Sequence, residues 1–451
     1  FITVFKAKIT PTSVSIATGD EASGYEIGHL IDDSGLSATA TPTNYTSITS
    51  TSNAADVWLS TNPNGNDPAT YFDSGVADPV IEFTLAEMTV INSFIAWGYD
   101  GGSSSGVAAG TIAFSADGGT TYGTVYNFNI GTAISDPSSG AVEILGDLNV
   151  IANYVKLTIT ENHKTLGAGV AGGDRVGLGE VKFIGETFDI SYNGSWSGGS
   201  GVAGAPNTDD TESNLIINSG SSNLTADVEA RYIAIQNGAS LTLDPNVNVT
   251  AGEETIIHGA AALVLKSDAT GTANFIDNGF VYEHSGTASV ERYLDDMGLP
   301  SASYHYISSP VNNHTKFTDM TDLYAYDETS LTWTHHSNFS NFDNAVGYAI
   351  RYTSDITKEF VGELNTGNYD ATITYNDDVA SSYDHFNLLG NPYASSISAD
   401  DVVNDNSTVV NTSVYLWNGI DYGTYNTSMS AGTAGGQGAT PDGNIAVGQG
   451  F

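Results

Sequence analysis

Short runs rich in Val, Ile, Thr and aromatic residues, each cut off by Gly, Asn, Asp or Pro, recur along all 451 residues. Residues 79–85 (PVIEFTL), 111–115 (TIAFS) and 154–160 (YVKLTIT) are examples. β-branched and aromatic side chains fit a pleated, half-buried surface, and the flanking residues favour turns, so each run reads as a strand. The 3.6-residue spacing of an amphipathic helix is nearly absent. The best short exception is 398–404 (SADDVVN), where the leading serine can cap a first turn. The fold class expected is all-β and multidomain: a β-sandwich, a short β-solenoid and a C-terminal β-sandwich.

Charge narrows the partners. With 52 Asp and Glu against 12 Lys and Arg, the net charge is −40. Binding nucleic acid needs clustered Lys and Arg against phosphates, and an anionic membrane surface needs the same, so neither is an expected partner. No apolar run approaches the roughly 18 residues that mark a spanning helix. An apolar fraction of 40% with 10% aromatics exceeds what a disordered acidic chain carries. There is no cysteine, which suits a large extracellular protein held by packing. Forty uncompensated negative charges repel one another. Outside cells divalent cations such as Ca²⁺ relieve that repulsion, although the same acidity also serves plain solubility.

Texture divides the chain into 1–186, 187–280 and 281–451. Residues 193–201 (NGSWSGGSG) read as a linker or cap. In the middle region, 233–243 (IAIQNGASLTL) is echoed by 255–265 (TIIHGAAALVL), with Gly238 and Gly259 spaced like successive rungs of a solenoid. Two or three rungs are few, so neighbouring segments must cap them.

Five segments of the first region, in order, resemble the discoidin (coagulation factor 5/8 type C) family. They are 26–33 (EIGHLIDD), 56–60 (DVWLS), 79–85, 112–122 (IAFSADGGTTY) and the closing pair 153–157 (NYVKL) and 177–185 (GLGEVKFIG). Two departures are visible: 79–85 lacks the Asp and Gly usual there, and Tyr122 stands where the family's hairpin carries Trp. The resemblance implies a β-sandwich that binds ligands, often glycans, through loops at one end, with a structural Ca²⁺ in many bacterial members. It makes Asp32 or Asp33 and Glu180 the candidate Ca²⁺ ligands, a sensible choice because a hard cation wants carboxylate and carbonyl oxygens on a tight turn.

A sugar site needs an aromatic platform beside groups that hydrogen-bond hydroxyls. Trp97, Tyr99 and Asp100 precede one Gly/Ser loop, and Asn162, His163 and Arg175 lie in the last long one. These six are the candidate ligand-binding residues. Trp58 and Trp97 also suit a core position.

Other motifs carry less. Residues 167–172 (GAGVAG) match a dinucleotide-binding pattern without the helix that pattern requires. Residues 62–68 (NPNGNDP) read as a plain turn. His305, His314, His335 and His336 fit no zinc spacing. No nucleophile elbow, zincin helix or P-loop is present. Between 189 and 279 the only basic residues are Arg231 and Lys266, a thin basis for a lyase site on an anionic sugar.

A second resemblance lies toward the C-terminus. Residues 290–294 (VERYL), 304–310 (YHYISSP), 346–350 (VGYAI), 360–367 (FVGELNTG), 387–393 (NLLGNPY), 414–417 (VYLW) and 445–451 (IAVGQGF) resemble the recurring C-terminal region of surface proteins exported by the type IX secretion system of Bacteroidota. That region normally precedes a sorting domain, which is not visible before Phe451. The expected protein is therefore secreted, at the cell surface, non-catalytic, Ca²⁺-stabilised and glycan-binding or adhesive. The first alternative is a self-assembling subunit of a filament or surface layer, paired through strand edges such as 1–5 (FITVF). A polysaccharide-degrading enzyme or its accessory module is the remaining one.

Overall fold

The computed structural model describes residues 7–50, 56–63, 71–72, 75–99, 104–132, 140–165, 173–278, 281–283, 286–295, 304–319, 322–335, 337, 340–352, 354–376, 385–436 and 438–451. The architecture is all-β: among the described residues the one α-helix is Ala399–Asp405. Its cap is the serine expected from the sequence, with Ser398 Oγ accepting from the Asp401 N–H at 3.2 Å. The chain falls into two compact units, Phe1–Asp189 and Ile190–Phe451.

Unit 1 is organised around one long strand, Val80–Ala96. Its first half pairs antiparallel with Ser13–Thr18 on one side and Val150–Asn162 on the other. Its second half pairs with Val181–Thr187 and Val142–Leu145. A register shift between Thr84 and Thr89 lets the strand change direction without leaving the sheet. Alternation then explains what lies beneath. Phe83, Ile91, Phe94 and Ala96 face a core shared with Trp58, Ile112, Val155 and Phe183. Ile95 and Trp97 face the opposite way, into a second apolar cluster with Ala40, Ile48, Ala141 and Ile184. The central rings interlock, with Phe183 5.7 Å from Phe83 and 5.5 Å from Phe94. In the hairpin after Val107–Ser115, Asp117 Oδ1 accepts from the N–H groups of Thr120 and Thr121, closing a tight carboxylate-capped turn.

Unit 2 begins as a three-faced parallel solenoid. Tyr232–Ile235 pairs with Thr255–Ile257, Ala239–Leu243 with Leu263–Leu265, and Val228–Ala230 with Asn248–Ala251, all parallel. On two faces the partners lie 22 residues apart, as Ile233 with Thr255 and Leu241 with Leu263. The inward aliphatics Leu241, Leu243, Val249, Leu263 and Leu265 stack into one column. Parallel stacking stops at Ala288–Leu294, whose outer edge is taken antiparallel by Ile356–Gly362. The C-terminal region then continues the same core: Leu323, Phe342, Tyr348, Phe360 and Val447 belong to the cluster that starts at Ile190. Its corners are closed by side-chain amides. Asn391, fully buried, donates to the carbonyls of Ser395 at 2.8 Å, Ile445 at 3.2 Å and Ala446 at 3.0 Å. That is why 387–393 carries an Asn-Pro corner. The amide adds side-chain bonds where the backbone also pairs, Gly390 with Gly450 and Ile397 with Ile445.

Candidate functional site

Four of the six expected ligand residues gather around one short segment of unit 1, residues 173–177. Asn162 is fully buried. Its amide donates to the carbonyls of Gly173 at 2.9 Å and Arg175 at 3.0 Å, while its oxygen accepts from the Thr165 N–H and hydroxyl. It is a brace, not a ligand contact. His163 is buried as well and packs against Gly106, where a Cβ would fall 2.4 Å from the imidazole Cε1. Gly106 in turn bridges Gly177. The Tyr99 ring covers Gly177 so closely that a Cβ there would meet it at 2.5 Å. Both glycines are required by close approach.

Tyr99 and Arg175 are half-buried. The ring of Tyr25, also half-buried, stands 6.3 Å from that of Tyr99 at a tilt of 56°. The corner thus offers two tilted rings with phenol hydroxyls and a guanidinium two residues from Gly177. Tyr25 was missed by the sequence reading. Its only signal is its place just before the 26–33 segment.

Trp97 does not join this corner. It is fully buried, and its indole N–H donates to the Ile48 carbonyl at 2.7 Å. As a platform for a sugar it is corrected to a core residue: alternation from Phe94 and Ala96 turns it to the far face, under the 36–48 loop. Asp100 lies outside the described residues, as do His336, residues 1–5, residues 64–68 of the 62–68 turn, and residues 167–172. The other histidines are scattered. His305 sits on the Asp295 carbonyl, His314 on that of Val361, and His335 beside Ser337.

The expected Ca²⁺ ligands are brought together only in part. The Asp33 N–H donates to Glu180 Oε1 at 3.3 Å, but Asp32 turns away, one oxygen accepting from the Ser34 N–H at 2.8 Å and the other 3.0 Å from His29 Nδ1. The oxygens of Asp33 and Glu180 converge on the Nζ of Lys182, a fully buried side chain. Burial drives the Glu180 carboxyl up to about 7, with the Lys182 charge pulling it back only in part. Burial acts against ionisation of Asp33 too, yet its hydrogen bonds and charge contacts with Lys182 and Lys8 hold it below the usual carboxylate value. The Lys182 ammonium thus stands between two of the three expected ligands, Asp33 and Glu180, with Glu180 Oε2 left without a hydrogen bond, and Asp32 is not part of the group. Glu180-Val-Lys182 was the overlooked signal, because positions two apart on extended chain share a face.

Unit 2 carries a second group of aromatics. Tyr326, Trp333, Tyr306, Trp417, Tyr422, Tyr415 and Phe386 form an unbroken row, with neighbouring ring centroids 4.9 to 6.4 Å apart. The Tyr306 and Tyr422 hydroxyls are 2.9 Å apart. Trp333 is 44% exposed, Tyr422 43% and Phe386 47%, so part of the row meets solvent. Elsewhere in this unit a cavity of about 270 Å³ lies between Phe275, Asp277, Asn365 and Tyr393. The Asn365 amide is engaged by the Ser309 and Pro392 carbonyls, and the Tyr393 hydroxyl donates to the Gly367 carbonyl.

Fold and site together define an all-β protein with an antiparallel unit bearing a loop-borne aromatic corner and a capped β-solenoid unit. Residues 202–451, more than half of the chain, match the model of a family described as a domain of unknown function (DUF8693), and the chain belongs to that family. No curated protein matches it. Similar solved structures include the C-terminal domain of a chitobiase from Bacteroides fragilis, at 20% identity over 40% of this chain and 97% of that one, with a TM-score of 0.25. The family 32 carbohydrate-binding module of NanJ from Clostridium perfringens, solved with galactose, is 11% identical over 40% and 99%, with a TM-score of 0.25. A third is a family 32 module (CBM32-3) of a family 31 glycoside hydrolase from the same organism, 13% identical over 40% and 91%, with a TM-score of 0.26.

Proposed function

We propose that this chain is a secreted, non-catalytic cell-surface protein that binds a glycan at the Tyr25–Tyr99–Arg175 corner of unit 1. The observation that carries the reading is the half-buried Tyr99 ring packed on Gly177, two residues from Arg175, with the half-buried Tyr25 ring 6.3 Å from it. Tilted rings offer faces to the C–H groups of a pyranose, while phenol hydroxyls and a guanidinium hydrogen-bond its hydroxyls. Asn162 and His163 hold the backbone beneath rigid, which limits the ordering cost of binding. The discoidin resemblance of residues 25–185 supports the same end of the unit. The type IX resemblance of residues 290–451 supports export to the surface of a Bacteroidota cell. The partly exposed aromatic row of unit 2 adds a second surface of similar chemistry, and an adhesive role follows from two such surfaces on one chain.

A glycan array with the intact chain tests this. Tyr99→Ala and Arg175→Ala are each expected to weaken binding about tenfold, the loss of one good stacking or charge-assisted contact, with the unfolding midpoint nearly unchanged. Absence of binding to every glycan on the array would overturn it. Self-association is the second reading. Among the described residues the strand Ala7–Ile9 ends the strand order of its sheet and pairs on one side, with Val181–Thr187, an edge that another copy can extend. Light scattering that stays monomeric at all concentrations removes that reading.

A further inference from the structure

The discoidin resemblance places a divalent cation where 26–33 meets 177–185. The side chain found there is a lysine. Lys182 sits on the strand Val181–Thr187 with no exposed surface. Its ammonium contacts the Glu180 carboxylate, Asp33 Oδ1 at 2.8 Å and the Ile31 carbonyl at 3.3 Å. The ammonium donates to the Glu180 carboxyl group and to the Ile31 carbonyl, and stands in ion-pair contact with Asp33. The second oxygen of Asp33 is taken by Lys8 at 2.9 Å. Two ammoniums face two carboxyl groups, and the cluster uses two of the 12 basic residues in a chain with 52 acidic ones.

We propose that the Lys182 ammonium is a built-in substitute for a divalent cation, holding the 27–36 turn of unit 1 in place without metal. A Ca²⁺ ion needs six to eight oxygens at about 2.3–2.6 Å. Here Nζ already contacts one oxygen each of Asp33, Glu180 and Ile31, and Lys8 holds the other Asp33 oxygen. Glu180 Oε2 is the carboxyl oxygen of the cluster that no cation contacts. An added dication would also stand beside two fixed positive charges. The lysine arrives with its own strand, so closing the turn draws on no ion from solution and does not vary with ion concentration. Asp33 adopts a left-handed backbone, φ 61°, and the ammonium fixes that residue from below while Lys8 fixes it from the side. Lys182 is thus a positioning residue for the turn that follows Tyr25. The claim stands whether or not unit 1 binds glycans, because its readout is protection of the turn rather than ligand binding.

Hydrogen–deuterium exchange on the intact chain, in millimolar CaCl₂ and in EGTA, is the test. Protection of 27–36 is expected to be the same in both, and the unfolding midpoint unchanged. Lys182→Met, which keeps the stem and removes the charge, is expected to speed exchange across 27–36. Lys182→Ala, which leaves room among the carboxylates, is expected to recover protection on adding CaCl₂, a response the wild type lacks. If either variant fails to fold, the wild-type comparison and Lys8→Met still decide: Lys8→Met loosens 27–36 only partly and stays indifferent to EGTA. Loss of wild-type protection at 27–36 on chelation, restored by CaCl₂, would overturn the proposal.

Discussion

The two units solve the same problem, burying strands, with opposite contact patterns. In unit 1 partners come from far apart in the chain: Ala7 pairs with Gly185, and Trp58 with Leu178. In the solenoid of unit 2 each strand pairs with the next rung, so Leu241 meets Leu263 and Thr250 meets Ile276. Non-local pairing lets a buried charge cluster or an aromatic corner be assembled from segments with no sequence relation. Rung stacking repeats one simple apolar column. The difference teaches where function and specificity concentrate: the chemically mixed sites of unit 1 sit where distant segments meet, while the inside of the solenoid is aliphatic.

Several substitutions and conditions break or sharpen that contrast. The largest effect is expected from Trp97→Ala. A fully enclosed indole with a satisfied N–H is lost, at a cost of about 3–5 kcal/mol. In scanning calorimetry the unit 1 transition should fall well below that of unit 2; an unchanged midpoint would contradict the burial. Asn391→Ala is the counterpart in unit 2. It strands three carbonyls at a cost on the order of 2–4 kcal/mol, and a unit 1 transition that moved with it would deny the units their independence.

Acidity should move the two units in opposite directions. Glu180 is raised from 4.5 to about 7 in the fold, so its contribution is complete below 4.5 and fades as pH rises through about 7. Asp33 is lowered from 3.8, so its contribution disappears only as pH falls below that value. In unit 2, burial lowers His305 and His314 from 6.5. Their neutral forms are favoured, and the stability they supply is present above 6.5 and lost as pH falls below it. Between about pH 5 and about pH 7 the unit 1 midpoint should therefore drop while that of unit 2 climbs. Parallel slopes in calorimetry would refute this. The smallest stability effect belongs to Trp333→Ala on the exposed row. The midpoint is expected to move by no more than about 0.5 kcal/mol equivalent, while glycan retention on an affinity column weakens; a large destabilisation would make that ring a packing residue.

Legibility followed the same divide. The repeat of 233–243 in 255–265 was readable because solenoid partners are neighbours in sequence and share inward positions, and the observed register makes Ile233 and Thr255 direct partners. The Ser398 cap was readable because it is local. In unit 1 the candidate residues were legible by type, and the fold does bring Tyr99, Asn162, His163 and Arg175 to one segment. Their roles were not legible. Trp97 faces a second core because of which strands flank it, and Asn162 serves backbone carbonyls that only the folded loop presents. Tyr25 and Lys182 were passed over because one lies some seventy residues from Tyr99 and the other is a basic residue in a strand, where a stem-packed surface lysine is the usual expectation.

The antiparallel strand Ile356–Gly362 on the last solenoid rung has a consequence for how such a chain can lengthen over generations. A stack of like-directed coils accepts a duplicated coil wherever the next strand runs the same way. Here the terminal neighbour runs the other way and is tied into the core that holds Phe342, Tyr348 and Val447. A copied coil can be accommodated between existing ones, but not beyond the last without dismantling that lid. Family members that differ in reach should differ by whole insertions within 214–290, with the strand corresponding to Ile356–Gly362 retained in every one.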